Sequence, residues 1–190
     1  MSSSVLTSPP RSKANRLFFA LLPDAEAGAR LGLLAEGLKR AHGFTGRLIR
    51  REHLHVSLIY LGSWDEMPDR VIQRACAGAE QVAALPFRVT FDRAASFQGR
   101  EGNYPFVLLS DDQPLWALRG SLAAALTREK LGTLVRGSFA PHMTLLYDRR
   151  IAEEGPIMPI GWTAREIVLV HSLFGRNAYN ALARWRLGDG

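Results

Sequence analysis

The stretch HLHVSLIYLG, residues 53–62, has the composition of a buried strand yet carries two histidines and a serine. In an extended chain alternate side chains share a face, so His55 and Ser57 project together while Val56 and Leu58 point the other way. The pattern recurs in FAPHMTLLYD, residues 139–148, where His142 and Thr144 share one face and Met143 and Leu145 take the other. The two tetrads, His-x-Ser-Leu and His-x-Thr-Leu, stand 87 residues apart, one in each half of the chain. A lone histidine in an apolar strand is ordinarily a core residue with a backbone partner. Two imidazoles and two hydroxyls buried at matched positions would each need a partner of their own. The pair therefore points to two pseudo-symmetric lobes facing each other across a cleft.

Two imidazoles, with unperturbed pKa values near ~6.5, can be held as one neutral base and one protonated acid close to neutral pH. That combination suits phosphodiester cleavage. The base takes a proton from the attacking oxygen and the acid protonates the departing one, with each step contributing about 10²–10⁴-fold. Ser57 and Thr144, on the histidine face, would donate hydrogen bonds to the non-bridging phosphate oxygens as negative charge grows there.

On either side of the tetrads, RLFFALLP (16–23) reads as a strand, and Pro23 with Asp24 opens an amphipathic helix to about Ala41. DEMPDRVIQRACAGAEQVAAL reads as a second helix, PFRVTFDRAASF and YPFVLLSDD as a hairpin, and PLWALRGSLAAALTREKLG as a helix ended by Gly132. The second tetrad's strand follows, then a Gly- and Pro-rich connection, then strands REIVLVHSLF and YNALARWRL. No glycine-rich phosphate loop follows any strand, which disfavours Rossmann and P-loop sites. The expected fold class is α+β and bilobal, with two antiparallel β-sheets lining a central cleft and helices on their outer faces. Residues 1–15, Ser-rich and without acidic residues, are expected to be a flexible tail, and 16–190 a single domain.

Composition fits that reading. The 190 residues are 47% hydrophobic, enough for a core, and no apolar run approaches the ~18 residues of a membrane span. Cys76 is the only cysteine, which excludes an internal disulfide or a Cys-based zinc cage and suggests a cytoplasmic setting. Lys plus Arg exceed Asp plus Glu by 24 to 18, a net charge of +6 that favours a polyanionic partner such as RNA. Arg47, Arg50 and Arg51 are candidates for phosphate contacts, and Phe97, Tyr104 and Phe139 for base stacking.

At RLFFALLPD, HLHVSLIYLG, FAPHMTLLY and the closing LVHSLFGRNAYNALARWRL, the chain resembles the 2H (two-histidine) phosphoesterase superfamily. Within it the likeness is to the RNA 2′,3′-cyclic phosphodiesterases, also called 2′-5′ RNA ligases. The resemblance implies a bilobal fold with one motif per sheet and no cofactor or metal. It also implies that His55 is the proton donor to the leaving ribose oxygen and His142 the acceptor that activates water. The implied substrate is RNA with a 2′,3′-cyclic phosphate end, or a small cyclic nucleotide, opened to a 2′-phosphate, with reversible 2′-5′ ligation as the same chemistry run backwards. A monomer is expected.

Three departures stand out. Ser57 replaces the commoner threonine and keeps the hydroxyl, His53 stands where asparagine is frequent, and Tyr147 stands where many members carry an arginine after the second motif. Tyr147 is thus a candidate substrate-binding residue that offers one hydroxyl in place of a bidentate cation. Two other readings compete: a metal-dependent hydrolase using His53, His55 and His142, and an RNA- or nucleotide-binding module without catalysis. His171 is expected to be structural, and His42 is assigned no function.

Overall fold

The computed structural model describes residues 14–135, 138–173 and 178–188. Among these, eight strands and three α-helices follow in the order β1 (Asn15–Leu21), α1 (Ala25–Ala41), β2 (Val56–Trp64), α2 (Asp69–Ala79), β3 (Phe87–Ser96), β4 (Tyr104–Leu109), α3 (Gln113–Arg128), β5 (His142–Asp148), β6 (Gly155–Ala164), β7 (Glu166–Leu173) and β8 (Ala178–Arg186). The expected tail lies outside the described residues up to position 13; its last residue, Asn15, already belongs to β1.

Local chemistry accounts for the helix ends. The Asp24 carboxylate accepts from the Ala27 N–H at 2.8 Å and caps α1, while Lys39 and Arg40 occupy its last turn, where cations complement the helix dipole. Helix α3 stops at Arg128, one turn before Gly132. Lys130 takes a left-handed conformation, φ 63°, and Leu131 N–H donates to Leu126 O, closing the helix early.

The α+β class is as expected, but the two sheets are one. The strands form a single antiparallel sheet in the order β6-β3-β4-β5-β2-β1-β7-β8. Its two four-stranded halves join between β5 and β2 through one residue pair, Val56 and Met143, each directly following a motif histidine. A second departure lies in the Gly- and Pro-rich connection, which is the edge strand β6. It pairs only with β3, so Pro156 and Pro159 sit where missing N–H groups cost the ladder least. Gly161 is required there, since a β-carbon would fall 1.9 Å from the Val89 carbonyl oxygen.

One face of the sheet and all three helices bury the main core, including Leu17, Phe19, Phe91, Phe106, Met143 and Leu145 from strands and Leu31, Ala75, Leu115 and Leu122 from helices. The other face carries two small apolar clusters, Phe18 with Ala20, Val168 and Val170, and Ala95 with Val107 and Leu109. The central strands β2 and β5 lie between them in the strand order. Among the described residues no helix is long and apolar enough to cross a membrane.

Candidate functional site

The two motifs fold alike beyond their tetrads. In β2, Ser57 pairs with Ala20, Ile59 with Phe19 and Tyr60 with Phe18, so Leu58 is an extra residue without a β1 partner. In β5, Thr144 pairs with Val107, Leu146 with Phe106 and Tyr147 with Pro105, which leaves Leu145 extra in the same way. Each bulge lets two consecutive apolar residues enter the core, Leu58 with Ile59 and Leu145 with Leu146, and returns the next side chain to the open face. Strict alternation from Ser57 would place Ile59 there. The bulges place Tyr60 and Tyr147 there instead, 51% and 43% exposed. The repeat is therefore a hexapeptide, HVSLIY and HMTLLY, and its second tyrosine keeps the 87-residue offset. Tyr60 was legible in that offset but not in the tetrads.

These faces line one cavity of about 240 Å³, which His53, His55, Ser57 and Tyr60 share with His142, Thr144 and Tyr147. Arg16 and Phe18 from β1, Ile49, Ser172 from β7 and Tyr179 from β8 complete the wall. Parity brings them in: Arg16 pairs with Ser172, Phe18 with Val170, and Ser172 with Tyr179, all on the face opposite the main core. The resemblance flagged a cation missing at Tyr147; Arg16 brings one to the same cavity from a strand that motif reading did not connect with it.

The two histidines are held identically. His55 Nδ1 lies 2.7 Å from His53 O, and His142 Nδ1 lies 2.7 Å from Ala140 O. A carbonyl oxygen only accepts, so each Nδ1 carries the proton and donates it, leaving each Nε2 for chemistry. Their surroundings differ. His55 packs against Phe18, with ring centroids 5.0 Å apart, and against Tyr179 at 5.6 Å, whereas His142 meets the edge of Phe97 at 5.0 Å. Burial pushes the His55 pKa below the ordinary histidine value, with the His53 carbonyl opposing and the charges of His142 and His53 adding to the decrease. The Tyr179 hydroxyl is pushed up, first by burial and then by nearby Tyr147, against the pull of Arg16 and a hydrogen bond with Ser172.

Among the remaining candidates, His53 stacks on Tyr179 at 4.3 Å and supplies its carbonyl to His55. The metal reading gains no donor set: among the described residues no group of three or more His, Cys, Asp or Glu side chains could hold an ion. Arg50 pairs with Glu52 and Arg51 with Glu36, and neither they nor Arg47 line the cavity. Phe97 touches His142, Tyr104 pairs with Asp148 in the ladder, and Phe139 lines a neighbouring cavity. His171 bonds Asn15 Oδ1 at 2.9 Å, and His42 stacks on Phe44, both away from the cavity. A larger cavity, about 690 Å³, lies at the start of α1 and contains no histidine.

Behind Tyr147, Asp148 is buried, and one carboxylate oxygen accepts from Thr45 N–H at 2.7 Å and Gly46 N–H at 2.6 Å, the other from Arg150 N–H at 2.9 Å. Burial alone would raise its pKa; these backbone donors, with Arg149's, outweigh it and hold the carboxyl below its usual value. Gly46 is needed for this approach, because a β-carbon would lie 1.9 Å from Tyr147 O. The latch ties the end of β5 to the turn after α1.

The model of the 2′-5′ RNA ligase superfamily matches residues 23–172. No curated protein matches the chain. Among solved structures, apo LigT of E. coli is 26% identical with a TM-score of 0.66, covering 93% of this chain and 99% of that one. LigT complexed with 3′-AMP is 25% identical with a TM-score of 0.64 over the same shares. The protein TT0787 of Thermus thermophilus, at 21% identity, shares the fold, with a TM-score of 0.71 over 90% and 97% of the two chains.

Proposed function

The chain belongs to the 2′-5′ RNA ligase superfamily, and on that basis we propose that it hydrolyses 2′,3′-cyclic phosphates, at RNA ends or on nucleotides, to 2′-phosphates by a metal-independent two-histidine mechanism. The observation that carries the proposal is the pair of histidines in one cavity, each with Nδ1 tied to the carbonyl two residues earlier. An E. coli relative complexed with 3′-AMP fits a nucleotide substrate.

In the reaction, the cyclic phosphate sits between the two Nε2 atoms, with Ser57 and Thr144 hydroxyls donating to its non-bridging oxygens and the Arg16 charge nearby. Neutral His142 takes a proton from water as its oxygen attacks phosphorus, and protonated His55 delivers a proton to O3′ as the P–O3′ bond breaks. Both hydroxyls act where charge develops, so their stabilisation is largest in the transition state. His55 begins with a lowered pKa, and the arriving phosphate anion favours its protonated form. A low pKa also makes it a stronger acid once protonated.

The test is hydrolysis of 2′,3′-cyclic nucleotides and cyclic-phosphate-ended RNA by purified protein in EDTA, with the product isomer identified. A 2′-phosphate is the expected product. Loss of activity in EDTA with recovery on adding zinc would favour the metal reading instead, and binding without turnover would leave a binding module. A 3′-phosphate product would overturn the assigned leaving oxygen.

A further inference from the structure

The strands that form one side of the histidine cavity carry another group of polar residues at their far end. On β1, β7 and β8 the face turned from the main core presents Arg16, Ser172 and Tyr179 to the histidines. The same face ends at Leu22, Glu166 and Arg186, in the wall of the cavity of about 690 Å³ at the start of α1. Ser172 and Glu166 stand six residues apart on β7, so the two cavities lie about 20 Å from one another.

The wall of this larger cavity suits an anion. Its three arginines, Arg165, Arg184 and Arg186, outnumber two carboxylates, Asp24, which caps α1, and Glu166, which bonds Arg184. Among the described residues Arg165 and Arg186 make no ion pair, and both are exposed. Trp162 lines the cavity too; it is 3% exposed, and its indole Nε1–H has no acceptor among the described residues. An indole N–H only donates, so the group that completes it is an acceptor. A phosphate oxygen beside two guanidinium groups is such an acceptor.

Under the proposed mechanism the attacking and leaving oxygens stand in line across phosphorus, so with water on the His142 side the terminal ribose lies beside His55. His55 directly precedes β2, and β1, β7 and β8 follow β2 in the sheet. RNA upstream of a cyclic end thus leaves over the half of the sheet that ends at Arg186. At about 3.4 Å per stacked nucleotide, about 20 Å spans roughly six nucleotides. We propose that the cavity at the start of α1 is a distal phosphate site for RNA substrates, where Arg165, Arg186 and the Trp162 N–H hold a backbone phosphate about six nucleotides upstream of the cyclic end. The proposal rests on the hydrolytic reading of the histidines.

The experiment measures KM for adenosine 2′,3′-cyclic phosphate and for oligoadenylates of three and ten nucleotides ending in the same cyclic phosphate. Wild type should show a KM about tenfold lower for the ten-mer than for the three-mer, the scale of one charge-assisted contact. Arg165→Gln/Arg186→Gln should abolish that difference and leave hydrolysis of the mononucleotide unchanged. It should also reduce the salt slope of log kcat/KM for the ten-mer by about 0.7, one phosphate's share. Trp162→Phe, which keeps an aromatic ring in the core, should shrink the length effect with the mononucleotide rate unchanged. Arg70→Gln/Arg74→Gln removes the same charge from exposed positions on α2 and should keep the length effect. Equal KM values for three-mer and ten-mer in wild type, or a length effect that survives Arg165→Gln/Arg186→Gln, would overturn the distal site and leave the hydrolytic reading standing. An equal loss of the length effect in the α2 variant would overturn it as well, in favour of net charge. Absence of hydrolysis of all three substrates by wild type would bring down both.

Discussion

The segments His55–Tyr60 and His142–Tyr147 share a sequence pattern, a bulge position and a histidine tether, yet they stand in different surroundings. His55 is enclosed by Phe18 and Tyr179, and its pKa falls with burial. His142 opens onto a second cavity toward Arg119 and Phe139. After Tyr147 comes the Asp148 latch; after Tyr60 come Leu61 and Gly62, which carry no carboxylate to match it. Repetition thus gives the two histidines matched geometry, and the neighbours give them different surroundings. A site with an acid and a base needs both.

The matched geometry is tested most severely by removing the histidines. His55→Ala and His142→Ala should each lower kcat by about 10²–10⁴-fold. The double variant should fall little further than the worse single one, because the two act as a unit. Additive losses in cyclic-phosphate hydrolysis would mean that they act independently.

The hydroxyls come next. Ser57→Ala and Thr144→Ala should each cost about 10²-fold in kcat with smaller changes in KM, the scale of losing one donor to developing charge. Ser57→Thr keeps the hydroxyl and should stay within a few-fold of wild type, which would make the two halves more alike. A loss confined to KM would assign these residues to ground-state binding.

The latch separates the halves in stability. Asp148→Ala leaves three N–H groups at 2.6–2.9 Å without their acceptor and should cost about 3 kcal/mol in denaturant unfolding. The pH sign is fixed by the lowered carboxyl pKa. Its contribution is fully present above the ordinary aspartate value, about 3.9, and is lost as pH falls through the folded-state value. The variant should therefore show a shallower acid loss than wild type.

The smallest effect, and the one that bears most directly on how the two histidines differ, is in the pH profile. With His55 as the acid, one of the two apparent pKa values of kcat/KM should lie below the value for an ordinary histidine, about 6.5, since burial favours its neutral form in the free protein. Tyr179→Ala opens that side of His55 to water and should move that apparent pKa upward. An unmoved profile would mean that His55 sets neither limb. For folding, the lowered His55 pKa works against stability as pH falls: the contribution is complete above about 6.5 and declines toward the lowered value.

Much was legible in the chain before any coordinates. The α+β class, the three helices, seven of the eight strands and the shared face of His55 with Ser57 and His142 with Thr144 follow from apolar periodicity, capping residues and a repeated tetrad. Edge strand β6 was missed because prolines read as breakers until a sheet edge makes their missing N–H groups harmless. The expectation of two sheets missed a join made by one residue pair, Val56 with Met143, which no local pattern encodes. Tyr60 was missed because a bulge shifts alternation by one residue, though the 87-residue offset from Tyr147 was present throughout.

The motif residues and their parity are therefore local properties of the chain, because backbone geometry alone sets which neighbours in a strand share a face. What surrounds them is settled by tertiary packing. Arg16, Phe18, Ser172 and Tyr179 reach the cavity from β1, β7 and β8 through pairings of residues far apart in sequence, such as Arg16 with Ser172. Burial, and with it the difference between His55 and His142, is a property of those distant contacts; a hexapeptide repeated twice cannot carry it.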